Sequence, residues 1–279
     1  MIKRIICPTD FSEAANNAIE YSAKLAQVLN AKLLLLNLHE MELSAPVAYA
    51  DEISNDPTKN TALALDTLEK TSTEVNKTYT IVCDFKEEVT LKSLTGILTS
   101  MEDESTMIVM GTGGIATIAE FFFGTNTYKV IKKAKCPVLL IPTGCSYNPY
   151  QRVVYAMAYE EKGSLALKPF NDFISHFNAG VTFLHISEHE TDISRDVFRA
   201  EREEIESFFG EKKSEHLAFE RLYSRNVENA IKEFVEKSST DLLVMAARHR
   251  NIFEALLKSR PLLSDLSATP TFPILVFHS

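Results

Sequence analysis

Residues 107–142 read MIVMGTGGIATIAEFFFGTNTYKVIKKAKCPVLLIP. Met107–Met110 is a short, unbroken apolar run of the kind shown by a parallel strand buried on both faces. Gly111, Gly113 and Gly114 follow it directly, then an apolar segment over 115–123. Next come Gly124-Thr125-Asn126-Thr127, a predicted helix over 128–134, and a second buried strand, Cys136–Ile141. Glycines after a strand permit φ > 0 and bring bare N–H groups against an anion. The second cluster adds a helix start with free N–H groups and two hydroxyls. The chain has only 9 glycines in 279 residues, and four of them fall within 111–124. That concentration favours a phosphate-holding site over incidental turns.

Working outward, the first half alternates strand and helix. Ile2–Pro8 reads as a strand, and Ser12 can cap a helix running to about Asn30 with Ala15, Ile19, Ala23 and Ala26 on one face. Lys32–His39 is an apolar strand, and residues 40–57, with two prolines and several acids, read as a loop. A helix over 61–75, a strand over 79–85 and a helix over 91–101 lead back to the opening stretch. Five strands alternating with four helices imply a parallel sheet covered on both faces.

After a linker at 143–150 the same order recurs. Strands are expected at 152–157, 181–186, 217–222, 241–245 and 272–277, with helices at 165–176, within 192–209, and at 227–236. Ile5-Ile6 matches Val153-Val154 at an offset of about 148. Met110 matches Met245 at about 135 and Pro137 matches Pro273 at about 136. Roughly a dozen residues are therefore missing from the second copy between its second and fourth strands, and the loop 40–57 is the natural place for the difference. The chain divides into two α/β domains, 1–145 and 150–279.

The spacing Gly111-x2-Gly114-x9-Gly124-Thr125 resembles the G-x2-G-x9-G-(S/T) motif of the ATP-binding universal stress proteins. Ile2–Glu13 is similar to that family's first strand and acidic turn, and Lys135–Leu139 to its closing strand. The resemblance implies two tandem five-stranded parallel sheets, order 3-2-1-4-5, flanked by helices in a Rossmann-like, adenine nucleotide alpha hydrolase-like fold. It implies ATP, or ADP or AMP, with Mg2+ on the phosphates. By position, Pro8, Thr9 and Asp10 would lie along ribose and base, and Leu38 and Met110 would wall the adenine. Gly111, Gly113, Gly114, Gly124, Thr125, Asn126 and Thr127 would cradle the phosphates. Many relatives carry a larger, often polar residue at the position of Gly113. Asp10 also has a bland reading, as an acid favoured at a helix start beside Ser12.

Rival readings lose their supports. Gly111-Thr112-Gly113-Gly114-Ile115-Ala116 fits the dinucleotide fingerprint G-x-G-x-x-A, but the next strand ends Ile141-Pro142-Thr143, without the acid that holds a ribose. The chain has no G-x-x-x-x-G-K-(S/T), no H-x-G-H and no S-G-G-x-D-S. No convincing general base or water-activating ligand set is evident, so hydrolysis is expected to be slow at most. The expected role is a nucleotide-dependent stress-response or signalling module. The alternative is a non-enzymatic interaction protein whose pocket is structural or holds another ligand.

The second half departs at the motif. Ala246 and His249 stand opposite Gly111 and Gly114, about Ser259-Arg260 opposite Gly124-Thr125, and Ala158 opposite Asp10. Side chains there disfavour φ > 0 and fill space that phosphates would occupy, so this half reads as degenerate. Arg248-His249-Arg250 with Lys258 and Arg260 reads as a solvated basic face. His185 and His189 fall on a strand and a loop, which does not support shared metal ligation. The segment 192–209 reads as a charged helix with Val197, Ile205 and Phe208 inward. Phe121-Phe122-Phe123 is expected to pack on the sheet or at an interface.

A net charge of −9 argues against a broad nucleic-acid surface and against anionic membranes. No apolar run approaches the roughly 20 residues that span a bilayer. The N-terminus lacks a signal-peptide apolar stretch, so a cytoplasmic protein is expected. Cys7, Cys83, Cys136 and Cys145 form no C-x-x-C pair and read as small buried hydrophobes. The family's closing strands pair across a dimer, so 138–141 and 274–277 are expected to join the halves as an intramolecular pseudo-dimer. A homodimer and an unidentified protein partner are further expectations.

Overall fold

The strands that read as unbroken apolar runs are those buried on both faces. In the computed structural model, which describes residues 1–40, 57–112, 125–158, 166–210, 216–246 and 272–278, β1 (Arg4–Pro8) has Ile5 and Cys7 in one core cluster and Ile6 in the other. Successive residues of a strand point to opposite faces, so each strand feeds both layers of packing. The first half continues with α1 (Glu13–Leu29), β2 (Lys32–Glu40), α2 (Pro57–Tyr79) and β3 (Cys83–Thr90). It closes with α3 (Leu94–Met101), β4 (Thr106–Thr112), α4 (Thr125–Lys133) and β5 (Val138–Pro142). The second half comprises β6 (Arg152–Ala158), α5 (Leu167–Ile174), β7 (Gly180–Ser187), α6 (Asp192–Phe209), β8 (Leu217–Tyr223), α7 (Val227–Lys237), β9 (Leu242–Ala246) and β10 (Ile274–Phe277).

The ten strands of the described residues form one sheet, ordered β3-β2-β1-β4-β5-β10-β9-β6-β7-β8. Each half has the order 3-2-1-4-5 with parallel pairing throughout. The halves meet through β5 and β10, which run antiparallel with Leu139 opposite Leu275. The expected pairing of the closing strands is thus met, and it fuses the two five-stranded sheets edge to edge. Neither β5 nor β10 is left as a bare edge, which suits strands this apolar.

The internal repeat holds at the level of single residues. Ile5 pairs with Leu33 and Val153 with Val181, both pairs offset by 148. Leu33 then pairs with Cys83, whereas Val181 pairs with Leu217, an offset of only 134 at the third strand. The length difference therefore falls between the second and third strands, the interval that contains the expected loop. Residues 41–56 of that loop lie outside the described residues.

Three expectations need correction. The third strand runs over Cys83–Thr90, while Tyr79 closes α2. Asn76 makes the turn: its side chain accepts from the Cys83 N–H at 2.7 Å and donates to the Cys83 carbonyl at 2.8 Å, beside Thr80 at φ +52. Pro57, expected in a loop, opens α2, where its missing N–H costs nothing. On α6, Ile205 is fully buried, but Phe208 is 44% exposed and Phe209 packs on the core instead.

Candidate functional site

β1 lies between β2 and β4, so its carboxyl end faces the crevice where the sheet's winding reverses. The chain leaving β1 is held tightly there. The Thr9 N–H donates to the Leu36 carbonyl at 2.8 Å, and the Asn37 amide donates to the Thr9 carbonyl at 2.7 Å. Phe11 takes the left-handed conformation, φ +62, and its N–H donates to the Thr9 hydroxyl at 3.0 Å. Ser12 then caps α1 by accepting from the Ala15 N–H at 3.3 Å.

Asp10 belongs to the same turn. Its Oδ1 accepts from the Ser12 N–H at 3.0 Å. Partial burial pushes its carboxyl up, but hydrogen bonds from the Ser12 hydroxyl and N–H outweigh burial and hold it below its usual value. Asp10 is therefore an ionised helix-start acid whose side chain also borders the cavity described next.

A cavity of about 620 Å3 opens at these strand ends. It brings together Pro8, Thr9 and Asp10 from β1 and its turn, Leu38 from β2, Met110 and Gly111 from β4, and Asn126 and Thr127 from the first turn of α4. These eight of the twelve residues singled out in the sequence share one space. Thr125 is the first residue of α4. Gly113, Gly114 and Gly124 lie outside the described residues, as do Phe121–Phe123. The N-terminal ends of both α1 and α4 reach the cavity, and the backbone N–H groups of a first helical turn favour an anion.

At Gly111 the structure shows a close approach of two backbones. Among the described glycines, positive φ occurs only at Gly144 and Gly210. At Gly111 a Cβ would stand 3.0 Å from the Ala15 nitrogen and closer still to the Ala14 carbonyl. The missing side chain lets the first turn of α1 lie against the end of β4. In the second half Ala246 carries that Cβ, and α5 starts at Leu167, nine residues beyond the end of β6 at Ala158. In the first half the interval from Pro8 to Glu13 is five.

The sequence reading missed several lining residues. Glu13, Glu40 and Thr143 also border the cavity. Glu40 ends β2 and accepts from the Leu94 N–H at 3.0 Å, and Thr143 follows β5 and donates from its hydroxyl to the Thr112 carbonyl at 3.1 Å. Both sit just past or at the carboxyl end of a strand, a signal as legible as that of Asp10. Among the described residues the lining holds three carboxylates, Asp10, Glu13 and Glu40, and no lysine, arginine or histidine.

Elsewhere, His185 is fully buried with Nδ1 2.8 Å from Glu201 Oε2, while His189 is exposed beyond β7. The cluster 248–250, Lys258 and Arg260 lies outside the described residues. No helix among the described residues is long and apolar enough to cross a membrane.

Residues 1–142 match the sequence profile of the Universal stress protein family. A universal stress protein of Synechocystis sp. is 27% identical over 154 residues, covering 51% of this chain and 87% of that protein. One from Thermus aquaticus is 28% identical over 142 residues, covering 50% of this chain and 99% of that protein. In fold, the chain is similar along its whole length to a universal stress protein from Archaeoglobus fulgidus. The TM-score is 0.71 at 16% identity, covering 99% of this chain and 98% of the other.

Proposed function

Because the chain belongs to the universal stress protein family, we propose that its first half, 1–145, binds an adenine nucleotide at the carboxyl ends of β1, β2 and β4. The observation that carries this reading is the convergence of Thr9, Asp10, Leu38, Met110 and Thr127 on one cavity. Its volume of about 620 Å3 suits a nucleotide-sized ligand. Leu38 and Met110 offer apolar walls for a base, Asp10 the free side of its carboxylate for ribose hydroxyls, and the start of α4 its N–H groups for phosphates. Gly113, Gly114 and Gly124 would complete the phosphate cradle by their place in the motif.

ATP is the proposed ligand, with ADP or AMP in the same seat. Mg2+ fits the lining: the described residues bring three carboxylates and no cation, so a triphosphate needs its charge offset by a metal. The proposed role is a stress-response switch that reads bound nucleotide. The half 150–279 is proposed as a unit that does not bind ATP in this manner.

Titration calorimetry of nucleotide-stripped protein with Mg2+ and ATP tests the reading. Saturable binding that weakens at least tenfold in Thr127→Val combined with Asp10→Ala supports it. The absence of heat at millimolar ATP sinks it.

A further inference from the structure

Among the described residues, the outer edge of the second half carries a cluster of arginines that the first half does not show. α6 places Arg195, Arg199 and Arg202 at helical spacings of four and three, on one face. That face borders β8, the last strand of the sheet, which adds Arg221. Together with Phe198, Phe219 and Tyr223 these arginines line an open groove of about 500 Å3. No acidic residue lines it among the described residues, although the chain carries a net charge of −9. Four of the ten arginines in the whole sequence collect there.

The guanidinium groups are arranged for recognition. Arg202 lies over the Phe219 ring at 5.1 Å, and Arg221 lies over Phe198 at 5.6 Å and Tyr223 at 5.1 Å. Stacking on a ring fixes the guanidinium plane and leaves its N–H edge to meet a phosphate in bidentate fashion. The carboxylates that now pair with the arginines are peripheral. Glu190 is 2.6 Å from Arg195 and 3.8 Å from Arg221, Glu206 is 2.8 Å from Arg202, and Asp196 is 3.7 Å from Arg199. The pairs of Arg199 and Arg202 are exposed and contribute little stability, whereas Glu190 holds Arg195 through two nitrogens and is the carboxylate a phosphate has to displace.

The repeat supplies an internal comparison. At the offset of 134, Arg221 occupies the position of Glu87, and Phe219 that of Phe85. The ring is kept and the charge is reversed, so the arginine is not inherited from the shared fold. From Arg195 to Arg202 the helix rises only about 10 Å, the reach of a di- or triphosphate and not of a long polymer.

We propose that this groove is a second ligand site, separate from the first-half cavity, for a compact phosphate-bearing molecule that carries one planar ring. The arginines hold the phosphates, and Tyr223, the exposed ring among the three, borders the space for the planar ring.

The test is a low-salt calorimetric titration of the full chain with inorganic tripolyphosphate, which has the charge and no ring, and separately with ATP. The triple variant Arg195→Gln, Arg199→Gln, Arg202→Gln alters exposed positions of a helix and keeps helix-forming residues there. It is expected to weaken tripolyphosphate at least tenfold and to remove one of two ATP equivalents. The pair Asp10→Ala, Thr127→Val is expected to leave the groove equivalent intact, so failure of the first site and failure of this one are distinguishable. Amide exchange on the unmodified chain is expected to slow in α6 and β8 with tripolyphosphate. Unchanged tripolyphosphate affinity in the arginine triple, no binding of either probe, or protection confined to the first half would overturn the proposal.

Discussion

His278 Nδ1 lies 2.8 Å from the carbonyl oxygen of Cys136, so the residue after β10 is fastened to the chain just before β5. The other ring nitrogen, Nε2, lies 2.6 Å from the carbonyl of Ile131 in α4. One side chain of the second half thus ties down the end of the helix whose start borders the first-half cavity. Both partners are acceptors, so a neutral ring donates to one carbonyl at a time, and His278→Ala removes that donor from the junction. The expected cost is about 1–3 kcal/mol, read as a lower urea midpoint with an unchanged slope. A midpoint equal to that of the parent would show that the junction is carried by the β5–β10 ladder alone.

Gly111 predicts an asymmetry between the halves. Gly111→Ala drives a Cβ into the backbone of Ala14 and Ala15, which belongs to a capped helix and gives way poorly. A cost of about 1–3 kcal/mol is expected from overpacking. The mirror change, Ala246→Gly, relieves no clash and is expected to cost about 0.5–1 kcal/mol. Thermal unfolding of the two variants side by side checks both, and equal losses would refute the close-approach explanation.

Much of the architecture was legible in the sequence because its strands are buried on both faces. Leu33, Leu35 and Leu36, or Met107 through Val109, leave a continuous apolar signature, and the repeat offset of 148 fixes which strands correspond. The third strand was misplaced because it is a sheet edge. Its first half is apolar only at Cys83 and Phe85, and the exposed charged residues Asp84 and Lys86 alternate with them. The role of Gly111 was not legible, since it depends on where α1 comes to rest some hundred residues away in sequence. The arginine groove was hidden for the same reason. On α6 alone the residues look like a solvated face, and only β8 brings Arg221 and Phe219 beside them.

The cysteines give a pH-dependent expectation. Burial pushes the Cys7 thiol up to about 12 and those of Cys83 and Cys145 up to about 11, and it raises Cys136 further. An unfolded thiol titrates near 8.5. A thiol held neutral in the native state adds stability that is complete below about pH 8.5 and is lost as pH rises from there towards the raised values. Native protein is therefore expected to be inert to iodoacetamide at pH 8 and to take up four equivalents in guanidinium. The urea midpoint is expected to fall steadily between pH 8.5 and 10. Rapid native labelling of Cys7 would contradict its burial.

Magnesium dependence follows from the charges around the first-half cavity. Asp10 stays ionised well into the acid range because the Ser12 bonds hold its carboxyl low, and Glu13 and Glu40 add two more carboxylates. Free ATP brings about four negative charges into a lining that supplies no cationic side chain among the described residues. Helix N-termini offset only about half a charge each. Chelating the metal is therefore expected to weaken ATP at least tenfold, and AMP much less, because AMP brings fewer charges. Asp10→Asn is expected to narrow that difference by removing one of the repelling carboxylates. Calorimetry with and without EDTA, for both nucleotides and both proteins, checks the ordering. An ATP affinity indifferent to the metal would mean that cationic groups outside the described lining, not the metal, balance the phosphates.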